Sequence, residues 1–193
     1  MEHIIPKRFK ESGEVKTRFL KENLPHLLEV IKLVSQSFEG GNKLLLFGNG
    51  GSAADAQHIA AEFVNRYIID RPPLPAVALT TDTSILTSVS NDVAFSEVFS
   101  KQIKALGKEG DVAMGISTSG NSPNIIKAFE VAREMGMKTV ALTGNDGGAI
   151  AKIADLSLIV PSTSTPRIQE THILIGHILC EMVEHQLFLK VNP

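Results

Sequence analysis

The sequence has one cysteine, one tyrosine and no tryptophan among its 193 residues. A single cysteine, Cys180, cannot form an internal disulfide, which is typical of proteins from a reducing compartment. Cys180 lies in an apolar helical pattern, so we expect a buried thiol and not a reactive one. The shortage of aromatic side chains argues against a surface that stacks nucleic-acid bases. A net charge of -2 offers no basic surface for nucleic acid either.

Long apolar runs are also missing. No stretch approaches the roughly 20 apolar residues that span a bilayer, and the N-terminal segment MEHIIPKRFKESGE lacks the apolar core of a signal peptide. We therefore expect a cytoplasmic protein with neither a membrane nor a nucleic-acid partner. The composition, 43% hydrophobic and 21% charged, is that of a globular protein. The length suits one domain over residues 1–193.

Apolar runs alternate with helical patterns from residue 43 onwards. Five runs are almost continuously apolar, which predicts strands buried on both faces: Lys43–Gly48, Pro75–Thr80, Asp111–Ser117, Lys138–Gly144 and Leu156–Pro161. Helices are predicted between them, near 52–68, 83–90, 95–106, 122–135, 146–152 and 167–189. This alternation predicts an α/β fold with a five-stranded parallel sheet flanked by helices.

A helical pattern precedes the first strand. Apolar residues recur at spacings of three and four between Thr17 and Phe38, and the segment EGGN ends the pattern with a glycine signal. We predict an N-terminal helical segment at about 7–39 and an α/β core at about 43–190. The helix lies outside the predicted α/β unit, so its apolar face needs a partner. We therefore expect it to be an oligomerisation helix.

Ligands bind such sheets beyond the carboxyl ends of the strands, so the loops there are the candidate site. The loop GNGGS, after the first strand, matches the dinucleotide pattern G-x-G-x-x-[G/A] only weakly. The acidic residue that holds the ribose is missing from the end of the second strand, because Asp70 falls before that strand. The loop also lacks the G-K-[ST] sequence of a P-loop.

The loop STSGNS, after the third strand, carries four hydroxyl side chains: Ser117, Thr118, Ser119 and Ser122. Hydroxyls and a following helix N-terminus suit a phosphate monoester. The alternative is a serine N-cap beside a glycine turn, which is common in helices. Four hydroxyls within six residues after a buried strand favour anion binding.

Three histidines and a glutamate interrupt the apolar patterns of the predicted helices. His58 and Glu62 are four residues apart and therefore share a helix face, on a helix that begins at the glycine loop. A surface ion pair is the alternative. His177 lies within LIGHIL in the last helix, where a hydrogen-bonded core histidine is the more common role, and the same holds for His172.

These motifs together resemble a known family. FGNGGSAADAQHIAAE, SND, GISTSGNSPN, LTGNDGG and PRIQETHILIGH occur in this order over residues 20–189. They resemble the sugar isomerase (SIS) domain, and within it the phosphoheptose isomerases. The resemblance implies conversion of sedoheptulose 7-phosphate to D-glycero-D-manno-heptose 7-phosphate through an enediol, an early step towards lipopolysaccharide heptose.

The resemblance also implies roles for individual residues. Glu62 and His177 match the catalytic base and acid, and a zinc ion is bound in some members by the residues matching His58, Glu62, Gln169 and His177. The substrate-binding positions match Asn49, Gly50, Gly51, Ser52, Glu62, Asn91, Asp92, Ser117, Thr118, Ser119, Ser122 and Gln169. The family typically forms homotetramers.

Helix geometry limits how this set can assemble. Gln169 and His177 are eight residues apart, or about 12 Å along a helix, so they cannot easily reach one atom from the same straight helix. Either Gln169 precedes the regular helix or the two residues come from different subunits. We expect a site at a subunit interface of a homo-oligomer.

A second function of a different class remains open. Bacterial proteins that bind the replication initiator share this domain. Two segments of the chain resemble those proteins at least as closely as they resemble the enzymes: LPAVALTTDTSILTSVSND and KQIKALGKEGDV. Those proteins lack equivalents of Glu62 and His177, which this chain has. The sequence therefore favours a sugar-phosphate isomerase.

Overall fold

The computed structural model describes residues 1–189. Its elements, in chain order, are α1 (Ile4–Glu39), β1 (Leu44–Gly48), α2 (Gly51–Val64), β2 (Ala76–Ala78), α3 (Thr83–Asp92), a 3₁₀ turn (Phe95–Glu97), α4 (Val98–Leu106), β3 (Val112–Ser117), α5 (Pro123–Glu134), β4 (Lys138–Gly144), α6 (Gly148–Ile153), β5 (Leu156–Val160) and α7 (Thr165–Phe188).

The five strands form one parallel sheet in the order β2-β1-β3-β4-β5. Alternate residues of β1 face opposite sides of the sheet. Leu44 and Leu46 belong to the apolar core that includes residues of α1, α2 and α7. Leu45 and Phe47 belong to the core that includes residues of α4 and α5. Helices therefore cover both faces, and the predicted α/β fold is confirmed.

Helix α1 is longer than its apolar pattern and is not separate from the α/β unit. It packs against β5 and α7 and buries Phe19, Val30 and Val34. Asn23 binds the edge strand β5, donating from Nδ2 to the oxygen of Ile159 and accepting from its nitrogen. The helix begins at Ile4, three residues before the predicted start near residue 7, and its first residues are exposed.

Several helix boundaries differ from the prediction. Helix α2 ends at Val64 instead of residue 68, and the predicted helix 95–106 begins as a 3₁₀ turn. Helix α7 begins at Thr165, so Gln169 lies inside the helix and does not precede it. Residue 190, the predicted end of the α/β core, lies outside the described residues.

The expectation about the single cysteine has a clear outcome. Cys180 is fully buried, and burial raises the pKa of its thiol well above the usual range, which fits an unreactive side chain. Within residues 1–189, every helix is too short or too polar to cross a bilayer.

His172 is a core histidine. Its side chain is fully buried, and its Nε2 lies 3.0 Å from the carbonyl oxygen of Thr143, so Nε2 carries the proton and donates. The other ring nitrogen, Nδ1, is buried without a hydrogen-bond partner in the described chain. Burial therefore disfavours the charged ring and lowers the pKa of His172 to about 4.

This lowered pKa predicts a loss of stability in acid. The unfolded chain binds a proton at His172 near pH 6.5 and the folded chain only near pH 4. Stability is therefore fully present above pH 6.5 and decreases as the pH falls towards 4. His172 accounts for about 3 kcal/mol of that loss. In His172→Gln, whose amide can still donate to Thr143, this part of the pH dependence disappears.

Urea unfolding between pH 4 and 8, at fixed protein concentration, measures the effect. His185→Gln is the control, because His185 is an exposed residue of the same helix and its variant keeps the wild-type pH dependence. Parallel curves for His172→Gln and the wild type would contradict the assignment.

Candidate active site

The candidate site lies where the order of the strands reverses direction. The chain passes from β1 outwards to β2 and then returns to β3 on the other side of β1. Loops after β1 and β3 diverge at such a switch point and leave a crevice between them. Those are the glycine loop, 48–51, and the hydroxyl loop, 117–122.

The two loops are joined by a pair of amides. Asn49 donates from Nδ2 to Oδ1 of Asn124 (3.0 Å), and Asn124 donates in return to Oδ1 of Asn49 (2.9 Å). Asn124 is buried at the start of α5. Ser52, in the first turn of α2, is buried as well. This reciprocal pair fixes the distance between the glycine loop and the helix that follows the hydroxyl loop.

The hydroxyl loop is ordered by its own side chains. Ser117 and Ser122 lie with their oxygens 3.0 Å apart. Ser122 is the N-cap of α5 but makes no side-chain bond to the helix. The Ser119 hydroxyl accepts from the nitrogen of Asn121 (3.2 Å), while Asn145 donates to the oxygen of Thr118 (2.9 Å). The loop is therefore held as a preformed turn at a helix N-terminus.

An open cavity of about 1040 Å³ borders this loop. Its lining includes Ser119, Asn121, Asn145 and, from α1, Arg18. Ser119 is the one predicted site residue among its lining residues. The cavity therefore lies beside the hydroxyl loop, and neither His58 nor His177 lines it.

Three predicted catalytic and metal-binding side chains lie together at the middle of α2 and α7. His58 Nε2 is 3.2 Å from Glu62 Oε1 and 3.2 Å from His177 Nε2. Gly176 permits the contact, because a Cβ there would lie 2.6 Å from the Cδ1 of Ile59. A glycine beside His177 thus lets α7 approach α2 closely enough for the two imidazoles to meet.

Gln169 lies elsewhere along the same two helices. Its carboxamide occupies the space that a side chain at Gly51 would need, so Gln169 lies against the start of α2. His177 meets His58, seven residues further along α2. Because both residues lie within α7, they are about 12 Å apart along its axis. One protomer therefore does not bring Gln169 and His177 to a common atom.

Asn91 and Asp92 occupy the end of α3 and are exposed. Asn91 donates to Oδ1 of Asp92 (2.8 Å). Among residues 1–189, neither side chain hydrogen-bonds to a predicted site residue outside this pair. One protomer therefore leaves this pair apart from the histidine cluster, and their predicted contact with substrate stays a prediction.

The predicted zinc ligands fit a metal in part. Tetrahedral bonds of 2.0–2.1 Å put ligand atoms about 3.3 Å apart, close to the 3.2 Å of the His58–His177 and His58–Glu62 pairs. Imidazole and carboxylate are suitable donors. Across the described part of the chain, however, no three His, Cys, Asp or Glu side chains already converge on one point as a bound metal requires.

Two neighbours of this cluster were not predicted. Asp55 lies one helical turn before His58, and its Oδ2 is buried without a hydrogen-bond partner in residues 1–189. Burial raises the pKa of this carboxyl, and His58 opposes the rise. Tyr67 stacks on His177, with ring centroids 5.4 Å apart. The i, i+3 spacing of Asp55 and His58 was a usable signal in the sequence, whereas nothing in the sequence connects Tyr67 with His177.

Comparison with known proteins agrees with the geometry. The SIS domain family model matches residues 9–144. The chain is 53% identical over 188 residues to the phosphoheptose isomerase of Thermodesulfovibrio yellowstonii, covering 97% of this chain and 94% of the relative. It is 55% identical over 190 residues to that of Sulfurimonas denitrificans, covering 97% of each.

Solved structures agree with these relatives. The phosphoheptose isomerase from Neisseria gonorrhoeae superposes with a TM-score of 0.90 at 46% identity, covering 95% of this chain and 98% of that one. The enzyme from Francisella tularensis superposes with a TM-score of 0.92 at 40% identity, covering 95% and 97%.

The fold, the family model and the relatives together define a sugar isomerase (SIS) domain that acts as an enzyme. The chain belongs to the phosphoheptose isomerase family and is a sugar-phosphate isomerase.

Proposed function

We propose that the enzyme converts sedoheptulose 7-phosphate to D-glycero-D-manno-heptose 7-phosphate by moving a proton between C1 and C2 through an enediol. The observation that carries the proposal is the contact of His58 with both Glu62 and His177, at 3.2 Å each. This contact gathers a carboxylate and two imidazoles beside the crevice of a phosphoheptose isomerase fold. By the family resemblance, we expect a cytoplasmic enzyme whose product supplies lipopolysaccharide heptose.

The reaction needs a base over the carbon and an acid at the oxygen. The Glu62 carboxylate removes a proton from C1 while the C2 carbonyl oxygen takes a proton from His177, which gives the enediol. Glu62 then returns a proton to C2 while the C1 hydroxyl gives its proton to His177, which had lost one in the first step, and the aldehyde forms. His58 contacts both residues and orients them.

The hydroxyl loop is the proposed anchor for the distal phosphate. Ser117, Thr118, Ser119 and Ser122 surround a turn that leads into α5, and the helix N-terminus favours an anion. The substrate would extend from this anchor across Gly50 and Gly51, where small residues let backbone nitrogens approach it. Asn49, Ser52, Asn91, Asp92 and Gln169 complete the proposed substrate contacts.

We also propose one zinc ion per subunit. His58, Glu62 and His177 would hold it, with Gln169 from a second copy of the chain as the fourth ligand. When bound, zinc would polarise the substrate oxygens as a Lewis acid. The carboxamide is an uncommon zinc ligand, which makes Gln169 the weakest member of this set.

Replacement of Glu62 tests the base and the metal together. Glu62→Gln keeps the shape of the side chain but cannot accept a proton from carbon, so turnover should fall by about 10²–10⁴-fold. Bound zinc, measured by elemental analysis of the purified protein, should fall as well. Turnover is measured as aldose 7-phosphate formed from sedoheptulose 7-phosphate, with and without a chelator.

Glu130→Gln is the matched control, because Glu130 is an exposed carboxylate on α5. It should keep wild-type turnover and zinc content. Wild-type turnover in Glu62→Gln would contradict the mechanism. A wild-type protein that does not isomerise the sugar would favour the alternative, a SIS protein that binds the replication initiator.

We propose a homotetramer with sites at subunit interfaces, on the basis of surface chemistry and the family resemblance. Along α1, Leu20, Leu24 and Leu28 are 52%, 45% and 57% exposed, and Phe9 is 78% exposed. Exposed apolar side chains at helical spacing mark a surface for another protein chain. The separation of Gln169 from His177 within α7 supports a site completed by a second copy.

Mixing two inactive variants tests whether the site is shared. Gln169→Ala and His177→Asn should each lower turnover when prepared alone. If one site takes Gln169 from one chain and His177 from another, an equal mixture has about a quarter of its sites intact. The mixture, co-refolded or co-expressed, should then recover about that share of wild-type turnover. Recovery no greater than in each variant treated alone would mean that the site is not shared in this way.

A further inference from the structure

The segment between α2 and β2, residues 65–75, has no helix or strand but is firmly held. Glu184 of α7 accepts hydrogen bonds from the backbone nitrogens of Tyr67 (2.8 Å), Ile68 (3.0 Å) and Ile69 (3.2 Å). The carboxylate is 1% exposed. Three charge-assisted bonds from consecutive residues fix the course of the backbone at Tyr67, and they lower the pKa of Glu184 against the effect of burial.

Arg71 completes the arrangement from the other end of the segment. Its Nε donates to Glu184 (2.9 Å), and its Nη atoms donate to the carbonyl oxygens of Phe63 (2.7 Å) and Glu62 (3.0 Å). The guanidinium therefore binds the last carbonyls of α2, including the carbonyl of the proposed base. We call Arg71 and Glu184 the clamp.

The clamp connects both halves of the proposed catalytic pair. Glu184 follows His177 by seven residues, which is two turns along the same face of α7. The backbone that Glu184 holds carries Tyr67, whose ring stacks on His177 at an interplanar angle of 26°. On the other side, Arg71 binds the end of the helix that carries Glu62 and His58.

We propose that Tyr67 is a positioning residue for His177, and that the buried Arg71–Glu184 clamp holds Tyr67 against that imidazole. The role in turnover rests on the proposed function, but the positioning of the ring does not. A histidine side chain can rotate about two bonds. The contact with His58 fixes the position of the Nε2 edge of the His177 ring. Stacking on Tyr67 restricts the rotation of the plane of that ring.

The chemistry explains why a ring is needed at this position. Aromatic faces stack on imidazole with a defined geometry. Displacing a catalytic group that does not bind the substrate lowers the rate of the reaction but not the affinity for the substrate. Since Tyr67 touches His177 and not the hydroxyl loop, removal of its ring should affect kcat and leave KM nearly unchanged. The phenol oxygen makes no side-chain hydrogen bond within residues 1–189, so Phe should replace Tyr.

The test compares Tyr67→Leu with Tyr67→Phe. Tyr67→Leu should lower kcat about ten- to a hundredfold with KM within about twofold of the wild type, and Tyr67→Phe should restore kcat. Ile68→Ala is the control, because the nitrogen of Ile68 also binds Glu184 while its side chain is 59% exposed. It should leave kcat unchanged.

A spectroscopic measurement separates this inference from the proposed reaction. The ring protons of His177 lie against the Tyr67 face and are shifted by its ring current. In NMR spectra of histidine-labelled protein, this shift should be lost in Tyr67→Leu and retained in Tyr67→Phe. This difference between the two variants should be seen even if the protein acts on a different sugar phosphate. An unchanged His177 resonance and unchanged kcat in Tyr67→Leu would overturn the proposal.

The clamp is tested with Arg71→Lys, which keeps the charge but loses the planar fork. The ring-current shift of His177 should weaken and kcat should fall while KM holds. If Arg71→Lys does not fold, Glu184→Gln replaces it, since Gln keeps one acceptor oxygen. A folded clamp variant with the wild-type His177 resonance would show that Tyr67 needs no clamp and would overturn that part of the proposal.

Discussion

Helices α2 and α7 run side by side in the same direction, and Gly176 lets them approach so closely that a Cβ there would lie 2.6 Å from Ile59. Both key contacts follow from this packing. Gln169 meets Gly51 at the start of α2, and His177 meets His58 in its middle. Since α2 starts at the carboxyl end of β1, the same packing sets the imidazoles at a fixed distance from the glycine loop and the hydroxyl loop.

Rigidity around the site comes from paired polar groups that are far apart in the chain. The amides of Asn49 and Asn124 join the loops after β1 and β3, and Arg71 and Glu184 join the end of α2 to α7. A buried ion pair adds little net stability because desolvation offsets its attraction. Its contribution here is to conformation, since each partner also binds backbone groups of the site.

The sequence was sufficient for the sheet and for most of the helices, because buried parallel strands such as β3 and β4 are continuous apolar runs. It also identified Glu62, His58 and His177, which share one cluster in the structure. It did not predict that α1 begins at Ile4 instead of about residue 7, because the exposed residues there carry no periodic pattern. It also could not predict the contact between Tyr67 and His177, because stacking of residues 110 positions apart depends on how the helices pack.

The central claim is that a proton leaves carbon and returns to carbon through Glu62. Isomerisation of sedoheptulose 7-phosphate in D₂O, followed by NMR of the product, tests it most directly. A carboxylate base exchanges its proton with solvent during the lifetime of the enediol, so the account predicts deuterium at C2 of the aldose. Product that remains free of deuterium at C2 after many turnovers would show that the transferred hydrogen does not exchange with solvent, as in a direct hydride shift, and would contradict the account.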